Sequence, residues 1–257
     1  MWKSICHSVR GTAHERVGSV CQDAGLVAHV TFADAEALLA ICSDGAGSAR
    51  HAEVGSQRAC ESLRQVIADA GHQASEAVDL DVLLGWIRQA REAVVQEAEA
   101  RGEPVREFAC TLLVALLLPE RSLFAQIGDG AIVVKDGDDY VPVFWPQAGE
   151  YAGTTHFLTQ ENWESAMALE LRHNAIEEVA MFTDGLERLA LRFSDRTAHA
   201  PFFSPLFAAL NGCEDAAALS EPLRAFLASP AVNERTDDDK TLLLATRNRR
   251  DHATDSL

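Results

Sequence analysis

The sequence predicts an α+β fold, a four-layer α/β/β/α sandwich of two antiparallel sheets flanked by helices. Three observations carry that prediction. Short apolar segments of strand length follow one another through brief connections, which suits antiparallel pairing and not the long crossovers of a parallel sheet. Two consecutive amphipathic segments, about 51–70 and 80–101, each carry one oily face that needs a sheet to cover it. The order along the chain is strands, two helices, many strands, small helices and a final strand.

Taken in order, 26–32 (LVAHVTF) and 37–43 (ALLAICS) read as strands, with Ala33-Asp34-Ala35-Glu36 as the hairpin turn between them. From His51 to Ala70, Val54, Ala59, Leu63, Val66 and Ile67 recur at helical spacing, and Gly71 ends the helix. From Leu80 to Arg101, Leu83, Leu84, Ile87, Ala90, Val94, Val95 and Ala98 form one stripe, with Gly102 as the stop. Strands return at 109–118, 121–127, 131–135 and 140–144, turned by Pro119-Glu120 and Asp136-Gly137. Segment 146–175 is irregular, 177–183 (EEVAMFT) is a strand, and 186–192 is a short helix. Two small helical patterns follow at 203–210 and 215–228, where Phe202, Phe203 and Phe207 read as packing residues, and 241–246 (TLLLAT) is the last strand. The reading is one domain over 1–247, with 193–236 as a flap and 248–257 as a polar tail.

Of the 257 residues, 47% are hydrophobic, enough for one sizeable core. Lys and Arg number 22 against 39 Asp and Glu, a formal net charge of -17. Such a chain repels phosphate backbones and anionic lipid, so nucleic-acid and membrane-surface binding are poor expectations. The six cysteines, at 6, 21, 42, 60, 110 and 213, include no C-x-x-C pair and read as small buried hydrophobes in a reducing cytosol. The first residues show no basic-plus-apolar signal, and the longest apolar run, 111–119, is too short to span a bilayer. A soluble cytoplasmic protein is expected.

The chemistry lies at the strand ends. Asp44 (SDG), Asp129 (GDG) and Asp184 (TDG) fall just after expected strands; Asp23 (CQD) and Asp237 to Asp239 (TDDDKT) fall just before them. Antiparallel strands can bring such ends to one rim of a sandwich. Carboxylates gathered there repel one another unless neutralised, and divalent cations with a taste for hard oxygen ligands do that. Glycine after the aspartate lets the backbone approach an ion.

Each Asp-Gly alone is an ordinary turn pair. Their order is more specific. Gly11-Thr12-Ala13-His14, Cys21-Gln22-Asp23-Ala24, Asp44-Gly45-Ala46-Gly47-Ser48, Ala109-Cys110-Thr111-Leu112-Leu113, Gly128-Asp129-Gly130, Thr183-Asp184-Gly185-Leu186-Glu187 and Asp238-Asp239-Lys240-Thr241 follow one another along the chain. This series resembles the PP2C-type (PPM) metal-dependent serine/threonine protein phosphatases, in their compact bacterial branch, over about residues 8–246.

The resemblance implies a phosphatase that holds two divalent cations, Mn²⁺ or Mg²⁺, and hydrolyses phosphoserine and phosphothreonine in proteins by attack of a hydroxide bridging the metals. Asp44 matches the aspartate that bridges both cations, and Gly45 the backbone carbonyl ligand. Asp184 and Asp238 match carboxylates on one metal, and Asp23 a carboxylate near the same centre, acting directly or through water. Asp238 is preferred to Asp237 and Asp239 because it stands three before Thr241. Asp129 matches a carboxylate of a third, weaker metal site, whose usual partner position is Arg188 here, so that Asp129 could instead pair with a cationic side chain.

Other positions depart from the pattern. Gly18 stands where many relatives carry a phosphate-gripping arginine. Arg16 is the first choice to replace it because a guanidinium forks onto phosphate oxygens; Arg10 and His14 are the others, and a solvated surface role for Arg16 is the competing reading. Ala46 stands where some relatives have a histidine, leaving His51 or a metal-bound water to protonate the leaving oxygen. The implied partner is a phosphorylated protein, opposite a serine/threonine kinase, with the phosphatase a monomer. The competing function is a catalytically degenerate domain of the same fold that binds a phosphoprotein or acts as a regulatory module.

Overall fold

The apolar segments pair edge to edge in two five-stranded sheets, and every strand pair among the described residues is antiparallel. The structure, a computed structural model, describes residues 2–32, 35–71, 78–148 and 155–247. Its elements are β1 Trp2–Val9, α1 Thr12–Val17, β2 Ala24–Phe32, β3 Ala35–Ser43, α2 Ala52–Gly71, α3 Leu80–Arg101, β4 Leu112–Leu117, β5 Ser122–Ile127, β6 Ala131–Asp136 and β7 Asp139–Pro142. Then come α4 Trp163–Ala166, β8 Ala168–Arg172, β9 Glu178–Phe182, α5 Glu187–Ala190, β10 Leu191–Arg192, β11 Thr197–Ala198, α6 Ala200–Gly212, α7 Ser220–Leu227, α8 Pro230–Asn233 and β12 Lys240–Arg247.

One sheet has the order β1-β12-β9-β6-β7, the other β2-β3-β4-β5-β8, and β10-β11 is a separate short ribbon. Along β3 the side chains alternate between two interiors. Leu39 and Ile41 meet Leu63 and Ile67 of α2 and Leu83 and Ile87 of α3. Leu38, Ala40 and Cys42 face the other sheet, packing with Met181 of β9 and Leu243 of β12. Burial on both faces is why the strand reads as an unbroken apolar run instead of an alternating one. On the far side, Phe203, Phe207, Leu210, Leu223 and Leu227 of α6 and α7 cover Val133, Phe182 and Leu242. Each such side chain taken from water contributes ~1.5–3 kcal/mol. The four-layer sandwich is therefore present, and Phe202, Phe203 and Phe207 are packing residues.

Among the elements that escaped the sequence reading, β1, β8 and α1 share one reason, their shallow burial. β1 and β8 are the outer strands of their sheets, and only Trp2 and Ile5 of β1 are buried, and none of β8. Edge strands half-covered in this way lack the apolar run that marked the central ones. Helix α1 buries no residue at all. Some boundaries also move. The expected start of a strand at 109 is instead a 3₁₀ turn, Val105–Phe108, followed by a single bridge from Cys110 to Gly45 before β4 begins. The residues 33–34 of the expected hairpin turn, and the tail 248–257, lie outside the described residues.

All six cysteines are free thiols, with Cys42, Cys60 and Cys110 buried, and burial pushes the Cys110 thiol up to about 12. Among the described residues no helix is long and apolar enough to cross a membrane.

Candidate metal centre

The acidic strand ends meet at one rim, and each is fixed there by its own backbone neighbours. Where β3 ends, Ser43 Oγ donates to the Thr111 carbonyl at 2.6 Å, the Asp44 amide donates to Thr111 Oγ1 at 2.9 Å, and the Thr111 amide donates to the Asp44 carbonyl at 2.8 Å. Thr111 of the Ala-Cys-Thr-Leu-Leu stretch is thus the clamp that sets Asp44. The next residue has to be glycine, since a Cβ on Gly45 would sit 2.6 Å from the Ala52 carbonyl oxygen and 2.8 Å from that of Gln22. Asp129 stands in the turn between β5 and β6, where the Gly128 amide donates to Gln147 Oε1 at 2.9 Å. Asp184 opens the single 3₁₀ turn that follows β9, with Gly185 packed against the Asp239 carbonyl so closely that no Cβ fits.

Asp44, Asp129 and Asp184 each bring a carboxylate oxygen to within 4.8 Å of the other two. They line a cleft of about 350 Å³ together with Gly45, Asp238, Gln22, Ser48, Thr155 and His14. No Lys or Arg is among the residues lining it. Asp23 lies beneath the rim. It is 5% exposed, and its Oδ2 accepts from Thr183 Oγ1 at 2.7 Å and Thr241 Oγ1 at 2.8 Å.

The electrostatics follow from burial without compensation. Burial pushes the Asp23 carboxyl up to about 7, against the pull of the two threonine hydroxyls. Asp184 rises to about 7, first by burial and then by the charges of Asp129 and Asp238. Asp129 rises to about 6, again by burial first and by Glu187 beyond its hydrogen bonds. Asp44 is held well above the carboxylate range by burial and by Asp23, Asp184 and Asp129. Asp23 Oδ1 and Asp129 Oδ1 are buried with no hydrogen-bond partner. Clustered, partnerless hard oxygens of one charge are the donor set that Mg²⁺ and Mn²⁺ take, so the residues fit such cations.

The three consecutive aspartates 237–239 divide into distinct roles. Asp238 is exposed and borders the cleft; its Oδ1 accepts the Asp239 amide at 2.8 Å. Asp239 is 2% exposed and accepts the Gly11 and Gln22 amides, each at 2.6 Å, with His14 Nδ1 in contact at 2.9 Å. Asp237 is on the surface, paired with Arg16 at 2.8 Å. Of the three, only Asp238 is among the residues lining the cleft.

The expected helpers are placed less favourably. Arg16 is not among the residues lining the cleft; it bonds the Thr12 carbonyl and Asp237 instead, both on the exposed surface. Arg10 donates to the Ser19 carbonyl. His51 packs against Phe108 at a tilt of 30°, with ring centroids 5.0 Å apart, and lies 3.9 Å from Glu103, also outside the cleft lining. Of the basic candidates only His14 reaches the cleft, and its buried Nδ1 against Asp239 leaves Nε2 as its other polar atom. No cationic side chain is paired with Asp129 among the described residues, and Arg188 instead lines two neighbouring cavities. The sequence reading missed Asp239 as the anchor of His14, and Thr155, which falls in the stretch without clear periodicity.

Comparison with known proteins adds an independent line. The family model described as protein phosphatase 2C matches residues 10–228. The chain is 38% identical over 247 residues to serine/threonine-protein phosphatase 3 of Escherichia coli strain K12, covering 95% of this chain and 98% of that protein. Among solved structures it is similar to the catalytic domain of the serine/threonine protein phosphatase PstP in complex with two manganese ions, at 18% identity and a TM-score of 0.62, covering 95% of this chain and 97% of that one. It is likewise similar to PppA, described as a key regulatory component of T6SS in Pseudomonas aeruginosa, at 19% identity and a TM-score of 0.63, with coverage of 95% and 97%.

Proposed function

The chain belongs to the protein phosphatase 2C family, and from that premise we propose that it hydrolyses phosphoserine and phosphothreonine in proteins with two divalent cations, Mn²⁺ or Mg²⁺. The observation that supports this best is the trio Asp44, Asp129 and Asp184, with oxygens within 4.8 Å of one another in a cleft lined, among the described residues, by no Lys or Arg. Asp44, Asp184, Asp238 and the Gly45 carbonyl would hold the two cations, with Asp23 behind them. Asp129, faced by Glu187 and Asp238, offers a weaker third position. Bound there, the cations supply a nucleophile from water at neutral pH and neutralise charge on the phosphoryl oxygens.

The chain's own residues do the positioning. Thr111 fixes the Asp44 backbone, Thr183 and Thr241 fix Asp23, and Asp239 fixes His14. His14 takes the place of a phosphate-gripping arginine, offering its ring to a phosphoryl or leaving oxygen. His14→Ala is expected to lower kcat/KM about 10- to 100-fold, while Arg16→Ala stays within about twofold, as suits an exposed pair. Steady-state rates for both variants check this, and the reverse order of effects would move the phosphate contact to Arg16.

The reading as a degenerate binding module is less favoured, because Asp44, Asp129, Asp184 and Asp238 line one cleft and Asp23 lies beneath them. p-Nitrophenyl phosphate tests the choice directly. Turnover is expected only with added Mn²⁺ or Mg²⁺, lost on chelation and restored by metal. No turnover under any metal would leave the binding module as the reading.

We further infer a phosphorylated protein as partner, opposite a serine/threonine kinase, and a cytoplasmic monomer. Among the described residues the exposed large apolar side chains are Val17, Val20, Val82 and Phe193. Residues 1–247 act as one domain in this reading, with 193–236 as the flap beside the site.

A further inference from the structure

The cleft does not end at the acidic trio. Asp184 and Asp238 also line an adjoining cavity of about 230 Å³, together with Arg188 and Arg235. The same two arginines line a third and larger cavity of about 640 Å³. Beyond the arginines its walls are apolar: Leu189, Phe202, Leu206, Phe226 and Val232, from the segment between β9 and β12. The three cavities form one path, from carboxylates through a pair of guanidinium groups to an oily groove.

Two features of this path ask for an occupant. Arg188 and Arg235 are exposed and neither is in an ion pair among the described residues, although the chain carries 39 acidic residues against 22 basic ones. The carboxylates beside them are engaged elsewhere: Asp184 and Asp238 belong to the proposed metal set, Asp237 is held by Arg16 at 2.8 Å, and Glu187 faces Asp184 as well as Arg188. Glu187 and Asp237 share the smaller cavity with the two arginines, but neither forms an ion pair with them, and with Asp184 and Asp238 taken up by cations the two guanidinium groups are open to an anion from outside. The groove beyond them is framed by aromatic and branched side chains that belong to the core of α6 and α7, so it is preformed.

We propose that this path is the substrate's docking track, and that it selects phosphoproteins in which the target residue is flanked on one side by an anionic side chain and, next beyond it, by an apolar one. The proposal rests on the phosphatase reading above and specifies its substrate class. With the phosphate at the metal cleft, the anionic flank meets Arg188 and Arg235, and the apolar flank enters between Leu206, Phe202 and Phe226. The anion can be a carboxylate or a second phosphate, since a guanidinium forks onto either.

The test uses the whole chain with Mn²⁺ and phosphothreonine peptides sharing one core. One series places Glu-Leu on either side of the target, a second phosphoserine-Leu, a third Lys-Leu and a fourth Glu-Ser. The expected result is a kcat/KM for the Glu-Leu peptide about 5- to 10-fold above that for Lys-Leu, falling as salt rises, with Glu-Ser in between. The phosphoserine-Leu peptide, compared with Glu-Leu, tells which anion is preferred. The double variant R188A/R235A is expected to remove the advantage of the Glu-Leu peptide over the Lys-Leu peptide, while metal-dependent p-nitrophenyl phosphate turnover is retained, which also reports that the variant is folded. Equal kcat/KM across the peptides in the wild-type chain, or an unchanged preference in the double variant, overturns the docking track but leaves the phosphatase. Absence of metal-dependent p-nitrophenyl phosphate turnover in the wild type overturns both.

Discussion

Asp44→Ala is expected to lower Mn²⁺-dependent turnover of a phosphopeptide by at least about 10³-fold, equivalent to roughly 4 kcal/mol of transition-state stabilisation. Asp44 has the most carboxylates around it, with Asp23, Asp184 and Asp129 all raising its affinity for a proton. Asp44 would help hold a cation among these groups, and its loss would weaken the charge neutralisation that the cation supplies at the phosphoryl oxygens. The fold should survive. The residue's backbone, not its carboxylate, makes the bonds to Thr111 that join β3 to the start of β4, and alanine keeps both. Removing one of several like charges also relieves repulsion, so the metal-free variant should melt at or above the wild-type temperature. Asp184→Asn should behave alike, keeping the side-chain shape and losing the charge. The measurements are kcat at saturating Mn²⁺ and a thermal melt with chelator. Turnover within about tenfold of wild type in either variant would remove that residue from the metal set.

That prediction was available from the sequence because strand ends are legible when strands are buried on both faces. β3 and β4 are near-continuous apolar runs and β5 and β9 are mostly apolar and buried, so the points where Asp44, Asp129 and Asp184 follow them stand out. The helpers were harder. The position that many relatives fill with arginine is Gly18, the αL cap of α1 at φ 71°, and the nearby Arg16 turns toward Asp237. What decides between Arg16 and His14 is the orientation of a six-residue helix with no buried side chain, and that orientation is set by Asp239 and the Asp237 carbonyl more than 200 residues away. No periodicity within residues 10–18 carries that information. The same holds for Arg188. Its offset from Asp184 suggested a partner for Asp129, but α5 turns it toward the groove formed by α6 and α8.

The raised carboxylates carry a second large consequence, in stability. Asp23 and Asp184 move from 3.8 to about 7 in the folded, metal-free chain, chiefly because burial disfavours their charge. A folded-state value above the unfolded one means the native chain binds these protons more tightly. Their contribution to stability is then full below about pH 4 and is lost as pH rises from there through about 7. At pH 8 the metal-free cleft holds several ionised, mutually repelling carboxylates; at pH 6 protons still occupy part of it. Mn²⁺ competes with those protons and meets no such competition at pH 8. A cation at 100 times its dissociation constant adds ~2.7 kcal/mol per site, and a chain of this size gains ~2–4 °C per kcal/mol. Saturating Mn²⁺ is therefore expected to raise Tm at pH 8 by about 5–10 °C for one tightly held ion and about twice that for two. The rise should be smaller at pH 6 and smaller again in Asp184→Asn, where both a ligand and a titrating group are gone. Melts of wild type and variant at the two pH values, with Mn²⁺ and with chelator, give all the comparisons. An Mn²⁺ shift larger at pH 6 than at pH 8 would mean that these carboxylates are not the groups that hold the metal, and no shift at either pH would mean that the cleft does not close around a cation at all.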